Sequence, residues 1–337
     1  MHRVRWPRRQ RGVAVITALL LTTLAVTIVA SLFWQQQVQV RSIENQRTQL
    51  QKQWILRGAL DWSRLILRSD TNQVDYLGDP WAIPLEEVRL DEFVENGKQD
   101  ADASSATLSG YILDAQGRFN VNGMLRGGTA SQADVTAFAK LLTNLGIPAA
   151  TSLTTATVTY LLAARQPTTP VAPPPTGSPP PATPPPPTTT AAPTPQSGPR
   201  MMKLTQFDDL LAVPGFTEEV LQKIKNFVIV LPEATTSINV NTASAEVLSA
   251  VISGLSLSDA TTLVAGRERA YFKDAADFNS RLPVNDATKP PTVVPLDVKT
   301  DYFLVNGKVK LNNAVLEIQS LVERRGPVVK VVWTRET

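Results

Sequence analysis

From Val13 to Trp34 the chain reads VAVITALLLTTLAVTIVASLFW, twenty-two residues without a charge. Wound as an α-helix at about 1.5 Å per residue, that run crosses the roughly 30 Å hydrocarbon core of a bilayer. Past Gln35 the pattern becomes one-sided: Ile43, Leu50, Trp54 and Leu65 recur with their neighbours at three- and four-residue steps, the spacing of a helical face. No proline interrupts the chain between Val13 and Pro80. The pattern predicts one helix from Val13 to Arg68, on the order of 80 Å long.

After Asp70 the period shortens. SGYILDAQGRFNVNGML predicts a strand, a turn at Asp114–Gly117 and a second strand. Residues 301–336 predict three more strands. Their turns are expected at Asn306-Gly307, the pair favoured where both turn residues take positive φ, and at Arg325-Gly326-Pro327. These C-terminal strands need a partner, which the Tyr111–Asn122 region supplies, so the residues between become an insertion. That insertion is helical. Val135, Phe138, Leu141, Leu142 and Leu145 form a stripe ending at Gly146, and 207–231 and 238–278 each read as helix, tight turn, helix. Between the helical parts lie Gln166–Arg200, thirty-five residues with fifteen prolines, a composition for polyproline II and for a spacer rather than a core.

Composition narrows the chemistry. The chain has no cysteine and a single histidine, His2, so thiol catalysis, thiolate metal sites and disulfides are excluded. Without the first residues no histidine remains, which removes Ser-His-Asp catalysis and His-ligated zinc. An enzyme is not expected. Of the formal net charge of +3, five units come from Arg3, Arg5, Arg8, Arg9 and Arg11, leaving a body of −2. The basic pI therefore reports a cytoplasmic flank under the positive-inside rule and not a nucleic-acid surface.

Gly12 stands between the arginines and the apolar run, and no small-x-small signal-peptidase site follows Trp34. A glycine at that junction resembles the type IV prepilin leader. The resemblance implies cleavage between Gly12 and Val13 by a prepilin peptidase, and methylation of the new Val13 amine. Val13 departs from the usual phenylalanine. The fifth mature residue, usually glutamate, is Thr17. A buried ammonium among apolar helices costs several kcal/mol unless paired, and the incoming subunit's carboxylate pairs it. A subunit with Thr17 lacks that group, so it fits a filament end with nothing above it.

The leader, Gly58-Ala59, ILDAQGRFNVN at 112–122, LLAVPGF at 210–216, INVNTASAEVL at 238–248 and DYFLV at 301–305 together resemble the K-type minor pseudopilin of type II secretion, the GspK family. That family also lacks the fifth-position glutamate. The resemblance implies an α+β fold: a long N-terminal transmembrane pilin helix and an antiparallel sheet head with a large all-helical insertion containing helix-hairpin-helix (SAM-like) repeats. The expected organisation is leader 1–12, transmembrane helix 13–34, periplasmic helix 35–68, an α+β domain from 69–122 and 300–337, a helical insertion from 123–165 and 201–285, and a proline-rich linker 166–200. It further implies a single-pass inner-membrane protein with a periplasmic body. Its partners would be other minor pseudopilins in a tip complex, the major pseudopilin, the inner-membrane assembly platform, the prepilin peptidase and the lipid bilayer.

Two implications of kinship are weakened by the residues themselves. Some family members bind calcium, but no run of carboxylates suited to six to eight oxygen ligands is visible; no cofactor is expected, and calcium stays open. Asp274 and Asp277 read as solvated charges. INVNTASAEVL also resembles the DNA-binding helix-hairpin-helix repeat. Its turns here are Gly215-Phe216-Thr217 with Glu218 and Glu219 beside it, and Gly254-Leu255-Ser256 with Asp259 nearby. Acids stand where phosphate would approach, so no nucleic acid is expected. A minor pilin of a type IV pilus is the other alternative.

Overall fold

The computed structural model describes residues 11–70, 73–92, 106–165, 201–283, 294–311 and 314–337. The predicted leader residues before Arg11 and the proline tract 166–200 lie outside the described residues, and of Gly12 and Val13 only the helical backbone is described.

Helix α1 runs unbroken over Arg11–Ser69, 59 residues or about 90 Å. It stops where the Asp70 N–H makes the last turn's bond to Ile66 O, with Arg68 placed against the negative helix end. Its C-terminal part lies on one face of a five-stranded sheet of order β1-β2-β9-β10-β11. The strands are β1 (Leu85–Arg89), β2 (Ala106–Asp114), β9 (Tyr302–Leu311), β10 (Ala314–Arg325) and β11 (Val328–Glu336), and every pairing is antiparallel. Side chains alternate between the faces. Leu56 packs with Leu108, Val309, Leu316 and Ile318, and Leu67 with Trp81, Ile112, Phe303 and Val322, under α1. Leu113, Tyr302, Leu304 and Leu321 point the other way and meet Ile229 and Leu231 of the helical lobe.

The strand partner expected near Tyr111 is β2, which pairs with β9 from Ala106↔Leu311 to Asp114↔Phe303. The second strand expected there does not join the sheet: β3 (Phe119–Asn120) pairs in parallel with β6 (Val228–Ile229). The turn expected at Asn306-Gly307 is also corrected. Both residues lie inside β9, where Gly307 faces Gly110 on one side and Ile318 on the other. The glycine serves packing. A Cβ on Gly307 would stand 3.3 Å from Leu56 Cδ2 of α1, tighter than ordinary contact. The strands β9 and β10 instead connect through residues 312–313, outside the described residues. Gly326, with φ +58, makes the second turn where it was expected.

The helical lobe holds α2 (Gln132–Asn144), α3 (Ala150–Arg165), α4 (Glu218–Ile224), α5 (Ala245–Val251), α6 (Leu257–Arg269) and α7 (Ala275–Ser280). Ser131, Thr217, Ser244, Ser256 and Asp274 each accept an amide of the following turn, the expected N-cap chemistry. Asp274 is therefore a cap, and Asp277 pairs with Arg281 at 2.7 Å. Phe138, Leu141 and Leu142 of the predicted α2 stripe are buried with Phe119, Leu210, Ile224, Val247, Leu248 and Phe272 in one core. Gly146 closes α2 with φ +65.

Candidate functional site

Two features set this chain apart from a compact globular protein: the bare N-terminal half of α1 and a buried polar joint between sheet and helical lobe. From Ala14 to Arg47 every residue of α1 is exposed, although the stretch has the length and apolar character of a membrane span. In lipid each polar group needs an internal partner. The threonines have one: Thr22, Thr23 and Thr27 donate to helix carbonyls. Thr17 Oγ1 donates to Ala14 O at 3.0 Å. Gly12 and Val13 fall in the first turn of the helix.

The joint is assembled from segments far apart in sequence. At the end of β2, Asp114 accepts from the Gln116 N–H at 2.7 Å, Asn239 Nδ2 at 2.8 Å and Thr242 Oγ1 at 2.6 Å. Asn239 belongs to β7 (Ile238–Asn239) and donates also to Asp75 O at 3.0 Å. Asn241 exchanges two bonds with Phe272, at 2.8 and 2.9 Å. Asn120 Oδ1 accepts from the Leu231 N–H, and Asn122 Nδ2 donates to Leu231 O. A Cβ at Gly117 would meet Thr242 Oγ1 at 2.8 Å, so this turn closes against the helical lobe only with glycine. Asp114 of ILDAQGRFNVN and Asn239 and Thr242 of INVNTASAEVL thus stitch sheet to helical lobe, while Asn120, Asn122 and Asn241 tie segments within the lobe.

A charged layer backs the joint. Arg324 of β10 reaches Asp75 Oδ1 at 2.5 Å and Asp70 Oδ2 at 2.8 Å, with its guanidinium 4.7 Å from the Phe303 ring centre. Asp75 Oδ2 accepts from the Thr300 N–H at 2.8 Å. Burial raises the Asp75 carboxyl to about 6, although the Arg324 charge pulls it down. Burial also raises Asp114, against the hydrogen bonds that favour its ionised form. Asp70, Asp75 and Asp79 bring carboxylate oxygens within 4.8 Å of one another, close enough to share a cation. Here the guanidinium holds two of them, and Asp79 Oδ2 accepts from the Tyr76 and Trp81 N–H groups.

No local spacing in the sequence links these acids to their partner: Asp70 and Asp75 lie some 250 positions from Arg324. The available signal was compositional: Asp114, Asn239 and Asn241 sit within apolar strand-like runs.

The two helix-turn-helix segments carry acids where phosphate would approach. In the fold, Glu218 and Glu219 occupy the first turn of α4, and Ser256 donates to Asp259 at 2.7 Å beside the α5–α6 turn. Lys140 points its ammonium into that turn from α2, donating to Ser249 O and to Leu255 O.

Comparison with known proteins bears on both features. Residues 117–233 and 238–299 match two family models described as Type II secretion system (T2SS), protein K. Type II secretion system protein K of Pseudomonas aeruginosa is 28% identical over 94% of this chain and 90% of its own length. The protein of that name from Pectobacterium carotovorum subsp. carotovorum is 27% identical, covering 96% of this chain and 95% of its own. Among solved structures, a chain of the GspK-GspI-GspJ complex from the enterotoxigenic Escherichia coli Type 2 Secretion System aligns with a TM-score of 0.63. The alignment covers 87% of this chain and 98% of that one, at 20% identity.

Proposed function

This chain belongs to the type II secretion system protein K family and is a membrane-anchored minor pseudopilin of that machinery, and we propose that it forms the tip of the periplasmic pseudopilus. The single observation that carries the reading is Thr17, a hydroxyl at the fifth position after Gly12 on a bare apolar helix. A pilin helix with glutamate there neutralises the terminal ammonium of the subunit above. Thr17 satisfies itself on its own helix and has no charge to offer, so this subunit takes the place that has no subunit above it.

Maturation is read from the Gly12–Val13 junction, where the basic stretch meets the apolar run. Prepilin peptidase cuts between Gly12 and Val13, the Val13 amine is methylated, and α1 stays as a single-pass anchor with the body in the periplasm. The relative of known structure is complexed with GspI and GspJ; the corresponding minor pseudopilins of this system are the tip partners, with the major pseudopilin below and the inner-membrane platform starting assembly. The two helix-turn-helix segments are helix-hairpin-helix repeats that widen the head, and a head this wide is tolerated at a filament end. The subunit acts by assembly, without catalysis: downstream of Gly12 it has no histidine and no cysteine.

The test has two readings. Mass spectrometry of the membrane protein is expected to find a methylated Val13 terminus that disappears without the peptidase, and gold labelling of a tagged head is expected to mark one end of each filament. Label spaced along the shaft would overturn the tip assignment. A product starting beyond Trp34 would remove the anchor itself.

A further inference from the structure

Strand β11 is the outer strand of the sheet, and its register breaks once. Leu321 faces Trp333 and Val322 faces Val331, so Val332 has no partner in β10. Consecutive strand residues ordinarily point to opposite faces, and the extra residue of a bulge re-aims the side chains around it. Val331 accordingly packs on the α1 side, while Val332 and Trp333 both turn to the helical lobe.

There they form one wall of a cavity of about 470 Å³, a size typical of small-ligand pockets, which run from roughly 300 to 1,000 Å³. Leu125, Leu161 and Leu204, all buried, supply its apolar lining. Asn122 is already engaged, donating to Leu231 O and Leu204 O. One donor of the wall is left over: Trp333 Nε1 is shut off from solvent and meets no acceptor among the described residues. A buried N–H without a partner is rare in a folded protein and calls for an explanation. Charge is one-sided as well. Arg165, at the end of α3, and Lys203 are exposed at the cavity, and no acid among the described residues lines it. The acids nearest along the chain are taken: Asp208 by Arg335, Asp209 by the Thr205 and Gln206 N–H groups, and Glu233 by Arg325.

We propose that this cavity binds the free C-terminal end of an apolar peptide. The carboxylate sits between Arg165 and Lys203, an apolar side chain enters among Leu125, Leu161 and Leu204, and a backbone carbonyl accepts from Trp333 Nε1. That last bond selects a peptide over a fatty acid, since an acyl chain has no acceptor beyond its head group. The site belongs to the head and requires neither the membrane helix nor a place at the filament tip.

The test uses the full chain in lipid nanodiscs, with isotope-labelled tryptophan indoles, titrated with an N-acetylated tripeptide of alanine, leucine and valine that has a free C-terminal carboxylate. The Trp333 indole N–H resonance, identified by its loss in Trp333→Phe, is expected to move downfield and saturate. The C-terminal amide of the same peptide should bind roughly tenfold more weakly, the worth of one hydrogen bond to a charged group. Arg165→Gln combined with Lys203→Gln should weaken the acid by a similar factor and leave the amide unchanged; both residues are exposed, so this variant changes charge without disturbing packing. Ala164→Phe, on the cavity wall, should abolish the shift. Equal binding of acid and amide, or a Trp333 resonance unmoved at high peptide concentration, would overturn the proposal. Tighter binding of octanoate than of the tripeptide would replace the peptide with an acyl carboxylate. A Trp333 resonance already downfield before peptide is added would mean that the chain fills the site itself, and the proposal would fall. The pseudopilin reading stands under every one of these outcomes.

Discussion

Asp75 and Asp114 are carboxylates that folding removes from water, and each stays because fixed donors replace that water. The same donors make their neighbours hard to change. Arg324→Met leaves Asp70 and Asp75 buried without the guanidinium that joins them, and breaking a buried pair from one side costs roughly 3–5 kcal/mol. Urea unfolding should show that loss, and Arg324→Lys should recover only part of it, since one ammonium does not reproduce the two-pronged contact. The Asp75 carboxyl also sets a pH dependence. Its folded value of about 6 lies above the ordinary 3.8, so between those values the folded protein binds more protons than the unfolded chain. Its contribution to stability is therefore complete below pH about 4 and is lost as pH rises through about 6, at most about 3 kcal/mol. Unfolding midpoints measured from pH 4 to 7 should fall less steeply in Asp75→Asn.

At the scale of elements, β9 shows how a helix overrides a turn signal. Gly307 has an extended partner on each side and no positive φ; what it provides is room for Leu56. Gly307→Val pushes α1 off the sheet and should cost about 1–3 kcal/mol, the usual penalty for overpacking. The Gly307→Val/Leu56→Ala double variant should cost measurably less than the two single changes summed, because both act on one contact. Additivity in that double-mutant cycle, followed by thermal unfolding, would return Gly307 to a backbone role. The caps of α2, α4, α5, α6 and α7 are local in a way that the role of Gly307 is not. A cap is a bond between residues three apart, whereas the neighbour of Gly307 lies across the fold.

For the whole molecule the question is what keeps the helical lobe fixed on the sheet. The apolar contact of Ile229 and Leu231 with Leu304 and Leu321 supplies area, and the Asp114–Asn239–Asp75 stitch supplies register. Ion pairs from Arg325 to Glu233 and from Arg335 to Asp208 close the rim; exposed as they are, such pairs add little each. Asn239→Ala takes one of three donors from the buried Asp114 carboxylate and the side-chain donor from Asp75 O, and should open the joint before either lobe unfolds, by about 2–3 kcal/mol. Hydrogen exchange is the measurement: faster exchange at the end of β2 and at β7, with the β9–β10 ladder unchanged. Uniform acceleration would mean that the two lobes form one cooperative unit.

Some properties of this protein were decided by residues near one another along the chain, and those could be read directly. The span from Val13 to Trp34, the unbroken helix predicted to Arg68 and found to Ser69, the α2 stripe ending at Gly146 and the Gly326 turn each depend on contacts within a few positions. Others arise only when distant segments meet. Asp114 and Asn239 are 125 positions apart, and nothing in either neighbourhood announces the other. The pair Asn306-Gly307 favours a turn by itself and became mid-strand because β2, β10 and Leu56 claimed it from three sides. Backbone preference at such a pair amounts to about a kcal/mol, while two strand ladders and a packed helix together outweigh it several times over.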